Sequence, residues 1–206
     1  DLGKKRTKLQ LLTSDGARFT PASTWTGKAG QIIWKSASLA AGRLTEDGSA
    51  CALVSTRQAD GSPLVLAFDY QEGTLTPRGL LQTTPGTLAA GTQIACGDVD
   101  KDLVDEAVAF SPAADGGTLH VFGYDGTALN ETTATAVAEA VKSPRLVCGD
   151  VNGNGADEVL LLGSTGSAAS LTAYAMAEEG MKATPMAVTP SLAATAQFGT
   201  ADMDGD

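Results

Sequence analysis

Three short segments of the chain place oxygen-bearing side chains at alternate positions, the arrangement that binds a hard cation. Positions 1, 3 and 5 are Asp98, Asp100 and Asp102 in the first segment, Asp150, Asn152 and Asn154 in the second, and Asp202, Asp204 and Asp206 in the third. Calcium takes six to eight oxygen ligands at about 2.3–2.6 Å, and a tight loop supplies them from alternate positions. The pattern therefore predicts calcium-binding loops.

Two further positions would complete each calcium shell. Position 9 is an acid, Glu106 or Glu158, and the main-chain carbonyl near position 7 belongs to Val104 or Ala156. Position 6 of the second loop is Gly155, which suits the positive φ of a sharp turn. The first loop has Leu103 there, and a bulky residue at positive φ is costly. We expect the first site to be bent or weak.

The segments that flank the loops separate them from the helical EF-hand. That motif requires a closing Glu at position 12 and a helix on either side. Position 12 here is Ala109 or Leu161, and the short apolar runs 106–110 and 158–162 are typical of buried strands. Each loop is therefore expected to join two strands.

The loops recur at a fixed period. A degenerate copy precedes the other three, so the loops begin at Arg43, Asp98, Asp150 and Asp202, at spacings of 55, 52 and 52 residues. Such a period indicates a repeat architecture. The degenerate loop keeps only Asp47 and Gly48 of the pattern and is not expected to bind calcium. We hypothesise that the Arg43 guanidinium replaces the ion and pairs with Asp47.

A second feature recurs between the loops. Strand-like segments with leading leucines at Leu9, Leu64, Leu119 and Leu171 end in turn residues. Weaker Thr/Ala-rich segments, 130–141 and 183–194, are expected to carry an outer strand, although 134–141 also has the composition of a short helix. The order of loop, strand, hairpin and strand predicts an all-β fold.

The loops resemble a known family. Gly-Asp-Val-Asn-Gly-Asn-Gly-Ala-Asp-Glu at 149–158, followed by a strand and repeated every fifty-odd residues, is similar to the FG-GAP/VCBS repeats of integrin-α-like β-propellers, and Phe198-Gly199 matches the FG of that name. In that family each repeat is a four-stranded blade, with calcium between its first and second strands. The resemblance implies β-propeller blades of about 52 residues with calcium-binding D-x-D-x-D-G-type loops and Ca²⁺ as the cofactor.

The period also predicts the domain organisation. Residues 1–206 would form part of one β-propeller domain, with repeat units at about 1–42, 43–97, 98–149 and 150–201, and with 202–206 opening the next. We expect a portion of about four blades from a larger propeller, which has four to eight, so that further blades or domains of the same polypeptide would be its neighbours. A closed four-bladed ring is the alternative.

Composition narrows the possible partners. The net charge is −10, and 11 of the 24 acids lie in the three good loops, five in 98–106, three in 150–158 and three in 202–206. An acidic chain of this kind argues against nucleic acid, and no membrane span is predicted. Cys51, Cys96 and Cys148 are interpreted as small buried residues. With His120 as the single histidine, no Ser-His-Asp arrangement is evident, and we do not expect an enzyme.

By resemblance, the chain would be a calcium-binding extracellular or cell-surface recognition or adhesion module that binds a protein partner through loops of the propeller face. One alternative is a carbohydrate-binding propeller lectin, in which exposed aromatic residues would stack on sugar rings. The candidates are Trp25, Trp34, Tyr70, Tyr124 and Tyr174. A second alternative is an architectural repeat array in a large surface or toxin-like assembly. Asn130-Glu131-Thr132 also fits the N-glycosylation sequon.

Overall fold

The computed structural model describes residues 8–27, 32–58, 63–71, 73–81, 88–126, 128–165, 168–186 and 199–200. Within these ranges the chain is all-β, with 14 strands, as the sequence predicts. No helix that could cross a membrane occurs in the described part. The strands are β1 (Lys8–Ser14), β2 (Phe19–Thr26), β3 (Ile32–Gly42), β4 (Cys51–Gln58), β5 (Pro63–Gln71), β6 (Thr74–Leu81), β7 (Gln93–Gly97), β8 (Glu106–Ala113), β9 (Gly116–Tyr124), β10 (Leu129–Val137), β11 (Lys142–Gly149), β12 (Glu158–Thr165), β13 (Ala168–Ala177) and β14 (Gly180–Met186).

The strands form one two-stranded sheet, β1-β2, and three four-stranded sheets, β3 to β6, β7 to β10 and β11 to β14. Every pairing is antiparallel between strands consecutive in sequence. Each four-stranded sheet is thus a simple meander. The loops 98–105 and 150–157 connect the first and second strands of the second and third four-stranded sheets. The prediction that such a loop joins two strands is confirmed for these two loops.

The sheets lie against one another in chain order, with β7 contacting both β3 and β11. Between the second and third four-stranded sheets, Phe110 and Val121 share a buried cluster with Val159 and Tyr174. On the other face of β9, Phe122 belongs to the cluster shared with β4 and β5. A middle sheet buried on both faces explains why apolar residues follow one another along β8 instead of alternating with polar ones.

Part of each Thr/Ala-rich segment forms a strand: 130–137 lie in β10 and 183–186 in β14, while 138–141 are not strand and 187–194 lie outside the described residues. β10 and β14 are the last strands of their sheets, and β10 includes Ala134 to Val137 as strand, which answers the open choice at 134–141 for those residues. From Thr132 to Ala136, exposed residues of β10 alternate with the partly buried Thr133 and Thr135, as expected for a strand with one solvated face.

Glycines let the first strands of successive sheets meet closely. A Cβ atom added to Gly42, the last residue of β3, would lie 2.6 Å from Cys96 Cβ, and one on Gly97 would overlap Cys148 Cβ. None of the three cysteines, all of which lie in the described part of the chain, forms a disulfide bond. Burial raises the pKa of the Cys96 thiol to about 12 and that of Cys148 well above its ordinary value. These thiols therefore act as small packing groups at the sheet boundaries.

Candidate metal centre

The first loop is shaped by its leading aspartate. Asp98 Oδ1 accepts hydrogen bonds from the amides of Lys101 (2.7 Å) and Asp102 (3.1 Å), and Oδ2 accepts one from Leu103 (3.0 Å). Farther along, Asp102 Oδ1 accepts the amide of Val104 at 2.8 Å. One carboxylate thus gathers the main chain of the whole turn around itself, because Asp side chains readily bond to amides a few residues ahead.

The second loop repeats this geometry. Asp150 Oδ1 accepts the amides of residues 152 to 154 at 2.8–3.3 Å, and Oδ2 accepts the amide of Gly155 at 2.7 Å. The last of these bonds is the largest cause that holds the pKa of Asp150 below its ordinary value. Asn154 Oδ1 accepts the amide of Ala156 at 2.8 Å. Two segments that differ at five positions, 3 to 7, therefore fold into the same loop.

Both loops require a left-handed backbone at positions 4 and 6. The φ angles are 70° at Lys101 and 71° at Leu103, against 72° at Gly153 and 84° at Gly155. The positive φ expected for Leu103 is confirmed. The first loop also holds Lys101 in a conformation that favours glycine, so it carries strain at two positions where the second loop carries none.

Three predicted ligands of the first loop converge. One carboxylate oxygen each of Asp98, Asp100 and Glu106 lies within 4.8 Å of the other two. Oxygens bound to one calcium at 2.3–2.6 Å are at most about 5 Å apart, so this spacing fits the ion. Glu106 is only 7% exposed, and its Oε2 accepts the amide of Val99 at 3.1 Å, which fixes its direction.

The charges at this cluster are poorly compensated by protein groups. Burial, together with the nearby carboxylates of Asp100, Asp102 and Asp98, raises the pKa of Glu106 to about 7, although its bond from Val99 opposes the shift. Burial is also the main cause that raises the pKa of Asp100. A bound divalent cation would offset this repulsion, and the donor set of carboxylate oxygens is the one calcium prefers.

The corresponding acid of the second loop is Glu158, which is 3% exposed. Its Oε2 accepts the amide of Val151 at 3.1 Å, and its Oε1 accepts Asn152 Nδ2 at 2.6 Å. Positions 3 and 9 are therefore in contact, as a shared ion would require. A half-turn of the Asn152 amide would present its oxygen in place of its nitrogen, because the two ends of an amide are nearly equal in size.

The other predicted ligands fall into two groups. Four of them lie within the described loops, where Asp102 accepts the amide of Val104 and Asn154 accepts the amide of Ala156. Metal ligation by these four residues stays a prediction. Asp202, Asp204 and Asp206 lie outside the described residues, so the third loop stays a prediction as a whole.

The degenerate loop keeps the turn without the ligands. Asp47 Oδ1 accepts the Thr45 hydroxyl at 2.6 Å and the Ser49 amide at 2.9 Å, and Gly48 has a φ of 72°. The contacts described for Arg43 come from its main chain, which bonds to Asp105. The pairing of Arg43 with Asp47 stays a hypothesis.

Sequence reasoning missed the aspartate at position 8 of each loop. Asp157 donates its amide to the carbonyl oxygen of Asp98 at 2.7 Å, and its Oδ2 accepts the Asp98 amide at 3.2 Å. Asp105 makes the same pair of bonds to Arg43, at 2.8 and 2.6 Å. The signal was an Asp directly before the position-9 Glu in both loops. A further link joins Lys101 Nζ to the carbonyl oxygen of Asn154 at 2.5 Å.

No protein-family model matches the chain, and no curated protein matches it.

Proposed function

We propose that the chain is part of a β-propeller, with each four-stranded sheet as one blade and with calcium bound in the loop between a blade's first and second strands. Three consecutive meanders of equal strand number support this, as do the contacts that β7 makes with both β3 and β11. Radial stacking of such blades leaves only short, protected edges. The loops 98–105 and 150–157 join the first and second strands of two of these sheets, and this position supports the resemblance to FG-GAP/VCBS repeats.

The convergence of Asp98, Asp100 and Glu106 is the observation that carries the calcium proposal. In the second loop, Asp150, Asn152 and Glu158 occupy the same positions. The ion acts as a structural staple: it neutralises the gathered carboxylates and fixes the loop at one end of each blade. Because unfolding would release the ion, its binding free energy adds to the stability of the fold.

The modest calcium affinity expected for these sites favours an extracellular location. The first loop is strained at Leu103, and the second offers two neutral amides, Asn152 and Asn154, where calcium prefers charge. Sites of this kind have dissociation constants of about 10⁻⁴–10⁻³ M, as in extracellular modules. We therefore propose a cell-surface or extracellular recognition module, stapled by the millimolar calcium of that compartment.

A protein partner is favoured over a sugar. Stacking on a sugar ring needs an exposed aromatic face, but Trp25 packs edge-on against Phe68 with ring centroids 5.1 Å apart, and Tyr174 is 5% exposed. Tyr124 donates its hydroxyl to the Gly126 carbonyl, and the side chain of Trp34 lies outside the described part. Among the predicted candidates whose side chains the structure describes, Tyr70 is the exposed one, at 38%. The loops of the propeller face would then contact a protein.

Thermal unfolding in about 2 mM calcium and in EDTA tests the calcium proposal. Two sites with Kd near 0.1 mM would add about 3.6 kcal/mol, which raises Tm by about 7–14 °C for a chain of this size. Asp150→Ala should remove at least half of the rise, and magnesium in place of calcium is the control. An equal Tm in calcium and EDTA would refute the calcium staple.

A glycan array in calcium tests the class of partner. We expect no calcium-dependent signal, whereas binding that EDTA abolishes would replace the protein partner with a carbohydrate.

A further inference from the structure

We propose that Asp157 is a positioning residue for the calcium site of the preceding repeat, so that the two sites are coupled across the boundary between blades. This inference rests on the proposed calcium sites. It assigns to Asp157 a role outside its own loop: it holds the main chain of Asp98, the residue that supplies position 1 of the first site.

Asp157 forms hydrogen bonds with both main-chain polar groups of one residue, Asp98, and we call this pair of bonds a bracket. Asp157 donates to the Asp98 carbonyl at 2.7 Å and accepts the Asp98 amide on Oδ2 at 3.2 Å. The peptide groups on both sides of the Asp98 Cα are thereby fixed in direction. Because the side-chain carboxylate of Asp98 is already bound to three amides of its loop, little freedom remains at position 1.

The same bracket occurs at the previous boundary, where no calcium site is predicted. Asp105 donates to the Arg43 carbonyl at 2.8 Å and accepts the Arg43 amide at 2.6 Å. The bracket is therefore a property of the boundary between blades and does not depend on a metal. At the second boundary the bracketed residue is Asp98, a predicted calcium ligand, so the bracket there affects calcium binding.

Tight packing at this boundary leaves little room for Asp98 to move. A Cβ on Gly97, next to Asp98, would overlap both Asp157 Oδ2 and Cys148 Cβ. Lys101 of the first loop adds a second link through its bond to the carbonyl oxygen of Asn154. Asp157 itself lies between Ala156 and Glu158, two predicted ligands of the second site. Calcium in the second loop would fix residues 156–158, and through Asp157 it would fix Asp98.

The coupling is reciprocal by thermodynamic linkage: if filling the second site tightens the first, filling the first tightens the second by the same factor. We expect positive cooperativity between the loops at 98–106 and 150–158, transmitted by the direct contact of Asp157 with Asp98.

Calorimetric calcium titration of the full chain tests the role of Asp157. The titrations use an Asp150→Ala background, which lacks the second site. The double variant Asp98→Ala/Asp150→Ala lacks both sites and gives the blank titration. In that background, Asp157→Asn keeps a hydrogen-bond acceptor but loses the charge, whereas Asp157→Ala loses both. We expect the Kd of the first site to be about fivefold weaker in the Ala variant than in the Asn variant, a factor at the low end of measured couplings.

Asp105 provides the matched control, since its bracket goes to Arg43. Because Asp105 belongs to the first loop, its control is read at the second site: in an Asp98→Ala background, Asp105→Asn and Asp105→Ala should give equal Kd values there. Equal Kd values for the two Asp157 variants would overturn the positioning role and leave the proposed function standing. If Asp98→Ala removes no calcium binding, the first site itself is overturned. If Asp157→Ala does not fold, Asp157→Val, which has no hydrogen-bonding side chain, serves in its place, with Tm in EDTA as the check on folding.

Discussion

Leu103 and Gly155 occupy the same position of neighbouring loops and share a left-handed backbone, with φ angles of 71° and 84°. The leucine side chain is 77% exposed, so it gains little burial in return for the strain. Its amide bonds to Asp98 Oδ2 just as that of Gly155 bonds to Asp150 Oδ2. The hydrogen bonds of the leading aspartate therefore impose the loop geometry even where the sequence opposes it.

Leu103→Gly should stabilise the protein. Relief of a left-handed conformation contributes about 1 kcal/mol after the extra flexibility of glycine in the unfolded chain is deducted. Tm should rise by about 2–4 °C, and the calcium affinity of the first site should increase. Gly155→Ala is the mirror control and should lower Tm by a similar amount. A lower Tm for Leu103→Gly would mean that the exposed leucine has a packing partner.

Gly97→Ala should be severely destabilising, because the new Cβ would overlap Cys148 Cβ and Asp157 Oδ2. Overpacking of this kind costs about 1–3 kcal/mol or more, and denaturant titration would measure it. Gly123→Ala is the control: it also lies in a strand, but its new Cβ would meet only Thr132 Cγ2, at 3.7 Å. Equal losses for the two variants would show that the sheets separate easily at the boundary.

The sequence predicted the local geometry well, because it depends on residues that are close along the chain. The loop between two strands, the positive φ of Leu103 and the contact of positions 3 and 9 in the second loop all follow from residue types at fixed spacing. Contacts across repeats could not be predicted this way. Val99 and Val151 occupy position 2 of their loops, yet they are 1% and 46% exposed, since burial there depends on the neighbouring repeat.

The aspartates at position 8 show the same limit. Asp105 and Asp157 were visible in the sequence as acids beside the position-9 glutamates, but their partners lie 62 and 59 residues earlier in the chain. Only the stacking of the sheets brings Asp157 to Asp98. Spacing within one loop could therefore indicate candidate ligands, but it could not indicate the residues of the next repeat that hold that loop in place.

Asn152→Asp should have opposite effects in the two buffers. In EDTA it replaces the 2.6 Å bond from Asn152 Nδ2 to Glu158 Oε1 with two facing carboxylates, so Tm should fall by several degrees. In calcium the added charge is a ligand, so the calcium-dependent rise in Tm should grow and the Kd of the second site should tighten by about tenfold, the equivalent of 1.4 kcal/mol.

Asn130→Asp is the control for that change. Asn130 Nδ2 donates to Asp125 Oδ2 at 2.9 Å, outside the predicted metal loops, so the same substitution should lower Tm equally in both buffers. An Asn152→Asp variant that behaves like Asn130→Asp would show that position 3 of the second loop does not bind the ion.

His120 should make the fold less stable in mild acid. Its side chain is 7% exposed, neither ring nitrogen has a hydrogen-bond partner in the described part of the chain, and Nδ1 lies 3.6 Å from Glu131 Oε2. Burial lowers the pKa of His120, although the Glu131 carboxylate opposes the shift. The unfolded chain, with a histidine pKa of about 6.5, then binds the proton more readily than the folded chain. Stability from this residue is present above about pH 6.5 and falls as the pH drops below it.

The difference in unfolding free energy between the parent and His120→Gln isolates this effect, because Glu106 and the other carboxylates titrate in both chains. We expect the parent to lose stability relative to the variant between about pH 7 and pH 5, measured by urea titration in EDTA. Glu131→Gln should enlarge the loss, since it removes the one neighbouring carboxylate that favours the protonated ring. A parent that gains stability relative to His120→Gln in acid would show that the bond to Glu131 forms on protonation and outweighs burial.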